Sequence, residues 1–199
     1  MINIVNIKNF KSGAIPKNIS RSIHAKQAKL MEKYKEIEKM PDWPININLS
    51  AHQSIIKDFK QRISEEMAEG YEAYLNHDKE HFYEELIDGL HFATELNLLV
   101  GRNSKSFESF DRIHPLKDTM EKNMWMVVYK YGLLMNMLKN KPWKQSQVRT
   151  DEKRFFALLK ECYETYIALL KTCGMTPQDI YIYYYKKNKV NQFRQRSKY

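Results

Sequence analysis

Cysteine is nearly missing from this chain: Cys162 and Cys173 stand alone in 199 residues and fall within one helical stretch. Two thiols so placed supply neither a disulfide framework nor a zinc knuckle, and they read as buried or idle groups in a reducing compartment. Glycine and proline are scarce as well, 6 of each, and β-branched runs are few, which disfavours turn-rich β architectures and favours helix throughout. No Walker-type glycine loop, nucleophile elbow or Cys-x-x-Cys pair occurs, so covalent catalysis lacks a candidate nucleophile. No uninterrupted apolar run approaches membrane-spanning length, and the opening Met1-Ile2-Asn3-Ile4-Val5-Asn6-Ile7-Lys8 is too polar and short for a signal peptide. The expected setting is the cytoplasm.

What the chain does have is carboxylates in an unusual arrangement. Glu66 with Glu69 (E-M-A-E) and Glu85 with Asp88 (E-L-I-D) are two pairs at i, i+3 spacing, each inside apolar helical sequence. The polar stretch Asn76-His77-Asp78-Lys79 between them is turn-like and lets the two helices fold back as an antiparallel hairpin. At about 100° per residue, Ile56, Phe59, Ile63, Met67, Gly70 and Tyr74 form one stripe with Glu66 and Glu69 on its border, while Glu65 and Glu72 point to water. On the second helix Phe82, Leu86, Ala93, Leu96 and Val100 define the core stripe. Glu85, Asp88 and Glu95 share the neighbouring face with Phe92 and Leu99. One acidic pair alone reads as solvated surface, but two pairs on consecutive helices beside apolar stripes favour a cation site. Carboxylates gathered near a core must take up protons or bind a cation. Oxygen ligands without His or Cys companions suit Mg²⁺ or Mn²⁺ rather than zinc.

With 43% hydrophobic residues the chain can bury one sizeable core, and a single all-α domain over 1–199, a bundle of five to six helices, is expected. Residues 1–20 read as extended, then Ser22 to Met40 as a charged amphipathic helix stopped by Pro41-Asp42-Trp43-Pro44. The metal helices run from Ser50 to about Asn76 and from about Lys79 to near Gly101. A long polar loop follows over 102–118, too long for a simple connector. Further helices are expected over Thr119 to Leu138 and Asp151 to Cys173, linked by Lys141 to Thr150. Gly174 then serves as a stop, Thr176 as a cap and Pro177 as the first-turn residue of the last helix. His91 is placed on the polar side of the second metal helix, and no histidine is assigned a catalytic role. The Tyr181 to Tyr185 cluster reads as core or dimer packing.

The formal charge is +9, concentrated in residues 8–29 and in the tail Lys186 to Lys198. Lys187, Asn191 and Arg194 fall on one side of a helix, and such donors converging on a polyphosphate balance the charge that develops in phosphoryl chemistry. With covalent routes lacking a nucleophile, the reading is metal-assisted hydrolysis, with Glu66 at the apolar border as the base that takes the proton of the attacking water. A basic helical nucleic-acid-binding or regulatory protein without turnover is the competing class.

E-x-x-E, a short connection, then E-x-x-D resembles the all-α NTP pyrophosphatases, the superfamily of the MazG-like enzymes and the dimeric dUTPases. Asp88-Gly89-Leu90-His91-Phe92 is similar to the D-x-x-H-F of dimeric and phage dUTPases, including phage dCTPase-dUTPases. Tyr184-Tyr185-Lys186-Lys187-Asn188-Lys189-Val190-Asn191-Gln192-Phe193-Arg194-Gln195 resembles that group's C-terminal motif, and Tyr199 falls where the family ends in Gly-Tyr. Departures are Lys198 for that Gly, Arg196 where an acid is common, and Met31 for the Asn of the base-reading Q-x-x-L-N that Gln27-Ala28-Lys29-Leu30 otherwise matches. The resemblance implies hydrolysis of dUTP, and dCTP as well, to the monophosphate and pyrophosphate. It further implies a homodimer and closure of residues 186–199 over the triphosphate. By the same resemblance, Gln27, Asn188, Gln195 and Tyr199 are further candidates for substrate contact. Nucleic acid is not required as a partner, and a phage-encoded protein of this kind acts in the host cytoplasm. The Met31 departure keeps open a MazG-like enzyme of broader or purine preference.

If the tail grips a polyphosphate, charge is not the whole effect. Arg194→Lys keeps the charge but loses the planar fork, and pyrophosphate release should fall on the order of tenfold or more. Lys198→Ala, which removes a charge where the motif uses none, should cost far less.

Overall fold

The computed structural model describes residues 14–141 and 143–196. Six α-helices carry the fold: α1 (Ile19–Tyr34), α2 (Ser50–Leu75), α3 (Lys79–Leu99), α4 (Met120–Asn136), α5 (Glu152–Thr172) and α6 (Pro177–Arg196). Two short 3-10 turns lie between α3 and α4, and no strand occurs among the described residues. The protein is an all-α bundle.

The α2–α3 hairpin is its centre. Asn76-His77-Asp78 turns the chain, with His77 in the left-handed region at φ 58°. Asp78 starts α3 by accepting from His81 N (3.1 Å). Ile56, Phe59, Ile63 and Met67 of α2 then pack along Phe82, Leu86, Leu90, Ala93 and Leu96 of α3, all buried. Each fully buried leucine contributes about 1.5–3 kcal/mol relative to exposure. The apolar stripes read from the sequence are these core faces.

α4 and α5 form a second antiparallel pair, joined at one end by Cys173 Sγ on Met120 Sδ (3.8 Å) and midway by Lys130 with Glu161 (3.4 Å). Gly174, at φ 90°, ends the α5 segment in a conformation that L side chains rarely adopt. Thr176 and Asp179 then bond reciprocally around the start of α6. α6 lies along α1 in the same direction, with Tyr184 on Gln27 and Asn191 by Tyr34, and it packs on α3 through Tyr184 on His91. The long segment 102–118 is no tether: Phe107, Phe110 and Ile113 are buried, and Lys171 Nζ donates to the Phe110 carbonyl (3.0 Å) and to that of Ile113.

Two boundaries differ from expectation. α1 begins at Ile19, where Asn18 caps it through Arg21 N (2.8 Å), rather than at Ser22. It stops at Tyr34 rather than Met40. Beyond Tyr34 the chain lacks a continuous stripe to bury, Ile37 stays 66% exposed, and turns ending at Lys39 (φ 51°) close the segment. The part of the expected extended stretch over residues 1–13 lies outside the described residues.

The α4–α5 connection is fixed from α2 by one buried amide. Gln53 Nε2 donates to Ile47 O (2.8 Å) and Thr150 Oγ1 (3.3 Å), and its Oε1 accepts from Asn140 N (2.9 Å). Gln53→Ala leaves these groups unmatched in the interior, and chemical denaturation should register a loss of about 2 kcal/mol or more.

Candidate functional site

Glu66 sits on α2, and Glu85 and Asp88 sit on the facing side of α3. One carboxylate oxygen from each lies within 4.8 Å of the other two. Glu69, the fourth predicted ligand, is exposed at the rim and outside this group, although its charge is felt at Glu66. Three residues past Glu66 the chain has turned by about 300°, which on α2 leaves Glu69 on the solvent side, whereas on α3 the same offset keeps both Glu85 and Asp88 toward α2.

Close approach at this point depends on Gly89. A Cβ there would meet the buried Tyr166 hydroxyl at 2.1 Å and the Glu66 Cβ at 3.4 Å. Tyr166 donates to Leu86 O (2.8 Å) one turn earlier. The missing side chain thus lets α5 brace α3 where the acids converge.

Three carboxylates in so small a space cannot all ionise freely. Burial first, then a hydrogen bond with Glu85, then the charges of Asp88, Glu85 and Glu69, push Glu66 up to about 9. Burial also raises Asp88, to about 6, against the pull of Lys187. The Lys187 ammonium is paired with Asp88, and His81 Nδ1 lies 3.2 Å from Glu85 Oε1. His81, one turn before Glu85, was not singled out from the sequence, although i, i+4 spacing is its signal.

The acids open into a cleft of ≈230 Å³ bounded by α1, α2, α3 and α6. Lys187, Asn191 and Arg194 line its α6 wall, as their shared helix face predicts. Arg62, one turn before Glu66, lines the α2 wall between Phe59 (5.2 Å) and Phe92 (5.5 Å) and pairs with Glu38 (3.2 Å) and Asp58 (3.0 Å). It too escaped the sequence reading, since its importance rests on Glu38 returning from a distant turn.

Gln27 lines the cleft with its amide fully engaged. Nε2 donates to Glu95 Oε1 (2.6 Å), and Oε1 accepts from the Tyr184 hydroxyl and from His91 Nδ1 (2.8 Å). Glu95 is pushed up to about 7 by burial and by Glu38, against Gln27 and Arg62. His91 does not lie on a polar face as expected: it is 4% exposed and stacks on Tyr184 at 3.9 Å and 5°. α6 packs over that side of α3, and burial, with Lys187 second, holds His91 down to about 3 and neutral. Asn188 is buried away from the cleft and accepts from Gln192 (2.7 Å). Tyr199 and the Gln195 side chain lie outside the described residues. Met31 is buried among core residues and does not line the cleft.

Fold and cleft together define an all-α protein with a carboxylate-lined site faced by a basic helix. Residues 71–199 match the family model described as dUTPase, and the chain belongs to that family, whose members are hydrolases. The match takes in Glu85, Asp88, Lys187, Asn191 and Arg194, while Glu66 and Gln27 precede it. No curated protein and no solved structure is found to match.

The Glu66 environment has a measurable consequence. A carboxyl whose folded pKa is raised binds its proton more tightly folded than unfolded, so its contribution to stability falls as pH rises from the ordinary value of 4.5 toward about 9. Glu66→Gln keeps the shape and removes the titration. In EDTA, the melting temperature of this variant should exceed the parent's by a margin that widens from about pH 5 to about pH 8.

Proposed function

We propose that the protein hydrolyses dUTP, with dCTP as a second substrate, to the monophosphate and pyrophosphate in an Mg²⁺-dependent reaction. The observation that carries this reading is the convergence of Glu66, Glu85 and Asp88 on one point beneath a cleft lined by Lys187, Asn191 and Arg194, in a chain of the dUTPase family. An all-oxygen donor set that is too crowded to ionise fully suits a hard divalent cation. Glu66, Glu85 and Asp88 would hold it, with Glu69 at the rim. Bound Mg²⁺ supplies Lewis-acid polarisation of phosphate oxygens and of water.

The chain's own groups do the rest. Lys187 exchanges its Asp88 partner for a phosphate oxygen, and Asn191 and Arg194 donate along the same wall. Glu66 takes the proton of the attacking water at a carboxylate oxygen. Gln27, held in one orientation by its three partners, keeps the base end of the cleft from collapsing on Glu95.

The chain acts as one all-α domain in the cytoplasm and works as a homodimer. Support for the dimer comes from the outer stripe of α4, where Trp125, Met126, Tyr129 and Leu133 are exposed at 65%, 41%, 48% and 39%. No helix among the described residues is long and apolar enough to cross a membrane.

Pyrophosphate release from dUTP, dCTP, dATP and dGTP, each with Mg²⁺ and with EDTA, tests the reading. dUTP should lead, and EDTA should abolish turnover. Asp88→Ala should be inactive while remaining folded, and Glu66→Gln should lose on the order of 10²-fold or more in kcat. Equal rates on purine nucleotides would move the assignment to a broader NTP pyrophosphatase. Full activity of Asp88→Ala would remove the site.

A further inference from the structure

A second cavity lies on the other side of α2. Lys57 of α2, Lys139 and Lys141 beyond α4, and Lys144 in the following loop line a hollow of ≈500 Å³ together with Ser146. Lys57 precedes Glu66 by nine residues. At about 100° and 1.5 Å per residue, that sets it on the opposite face of α2 and roughly 13.5 Å from the acids along the axis.

The four ammonium groups have little to balance them. Among the described residues, no Asp or Glu forms an ion pair with any of them. Lys57 Nζ donates to Leu138 O (3.0 Å), and Lys139 Nζ to Asn136 Oδ1 (2.8 Å). The C-terminal end of α4 contributes only about half a negative charge, so the hollow remains strongly positive. Burial, then the adjacent Lys141 and the charge of Lys139, hold Lys57 down to about 8.

The loop cannot simply spread to relieve this repulsion. Asn140 is tied to Gln53 (2.9 Å) and to Asn48 O (2.7 Å), and its Oδ1 accepts from Val148 N (2.6 Å). The fold therefore holds mutually repelling cations around a concavity, an arrangement that a compact anion of high charge density relieves.

We infer that this hollow binds a polyphosphate group, as inorganic pyrophosphate or as the tail of a free nucleoside triphosphate. Lysines serve here as point charges and demand no planar geometry of the ligand. A nucleic-acid backbone is favoured less, because it calls for an extended basic track and these lysines close around one basin. Trp143 stands 77% exposed beside Lys141, whose Nζ lies 5.9 Å from the ring centroid, and offers a nucleobase a stacking surface next to that lysine.

The inference does not depend on the proposed hydrolysis, and it is tested in EDTA, where that reaction has no cation. Calorimetric titration of the full chain with inorganic pyrophosphate should show a site that weakens by about tenfold or more in Lys57→Gln/Lys144→Gln. The site should persist in Lys57→Arg and in Lys187→Gln. Lys144 is exposed and makes no side-chain hydrogen bond among the described residues, so Lys144→Gln alone keeps the test valid if the double variant unfolds. A nucleoside triphosphate that binds more tightly than pyrophosphate, with the excess lost in Trp143→Ala, identifies the nucleotide as the source. Equal affinities identify the phosphates alone. Pyrophosphate binding unchanged in the folded lysine variants overturns the inference, as does a preference for single-stranded oligonucleotide over both probes.

Discussion

Three carboxylates share a space between α2 and α3 that is too small and too dry for three negative charges, and much of the surrounding architecture accommodates that constraint. Gly89 brings the two helices and Tyr166 close enough for the acids to meet. Lys187 reaches across from α6 to offset one charge, and His81 stands beside another. Ordinary folding pressure would replace such a cluster with leucines. Its retention against a hydrophobic interface is what points to work done on something that brings positive charge with it.

The cleft above the acids is organised by a different device, a polar knot among α1, α3 and α6. One amide, that of Gln27, satisfies Glu95, His91 and the Tyr184 hydroxyl together. Gln27 Oε1 can only accept, so the Nδ1–H of His91 is the donor to it, which fixes the tautomer of the ring that stacks on Tyr184. The register of α6 on α3 follows from that stack. It is also what sets Lys187 over Asp88 rather than a turn away.

The acid hairpin was legible because it is local: a 3.6-residue period, a polar turn and carboxylates at fixed spacing are all contained in one stretch. The stop at Gly174 and the buried stripe of α2 were readable for the same reason. Contacts between distant segments were not. His91 looks polar-facing until α6 covers it, and Gln27 meets Tyr184 across 157 positions. Arg62 has an ordinary helical neighbourhood, and Glu38 joins it from the turns that follow α1. Glu69 lies outside the acid cluster because the sequence period marks a border without saying which side of it faces the partner helix. The Gln53 anchor and the lysine basin it stabilises depend on the path of a loop that has no periodicity at all.

The shortness of the Asn76–Asp78 turn also bears on how the chain reaches this structure. Two long helices joined by so brief a link meet through contacts of small sequence separation, so their docking belongs among the fast, early events of folding. The same encounter drives Glu66 onto Glu85 and Asp88 before α6 has delivered Lys187 from the far end of the chain. Early collapse therefore works against an electrostatic brake, one that protons or a divalent cation release. The ionic surroundings thus act on the same early encounter as the hydrophobic core.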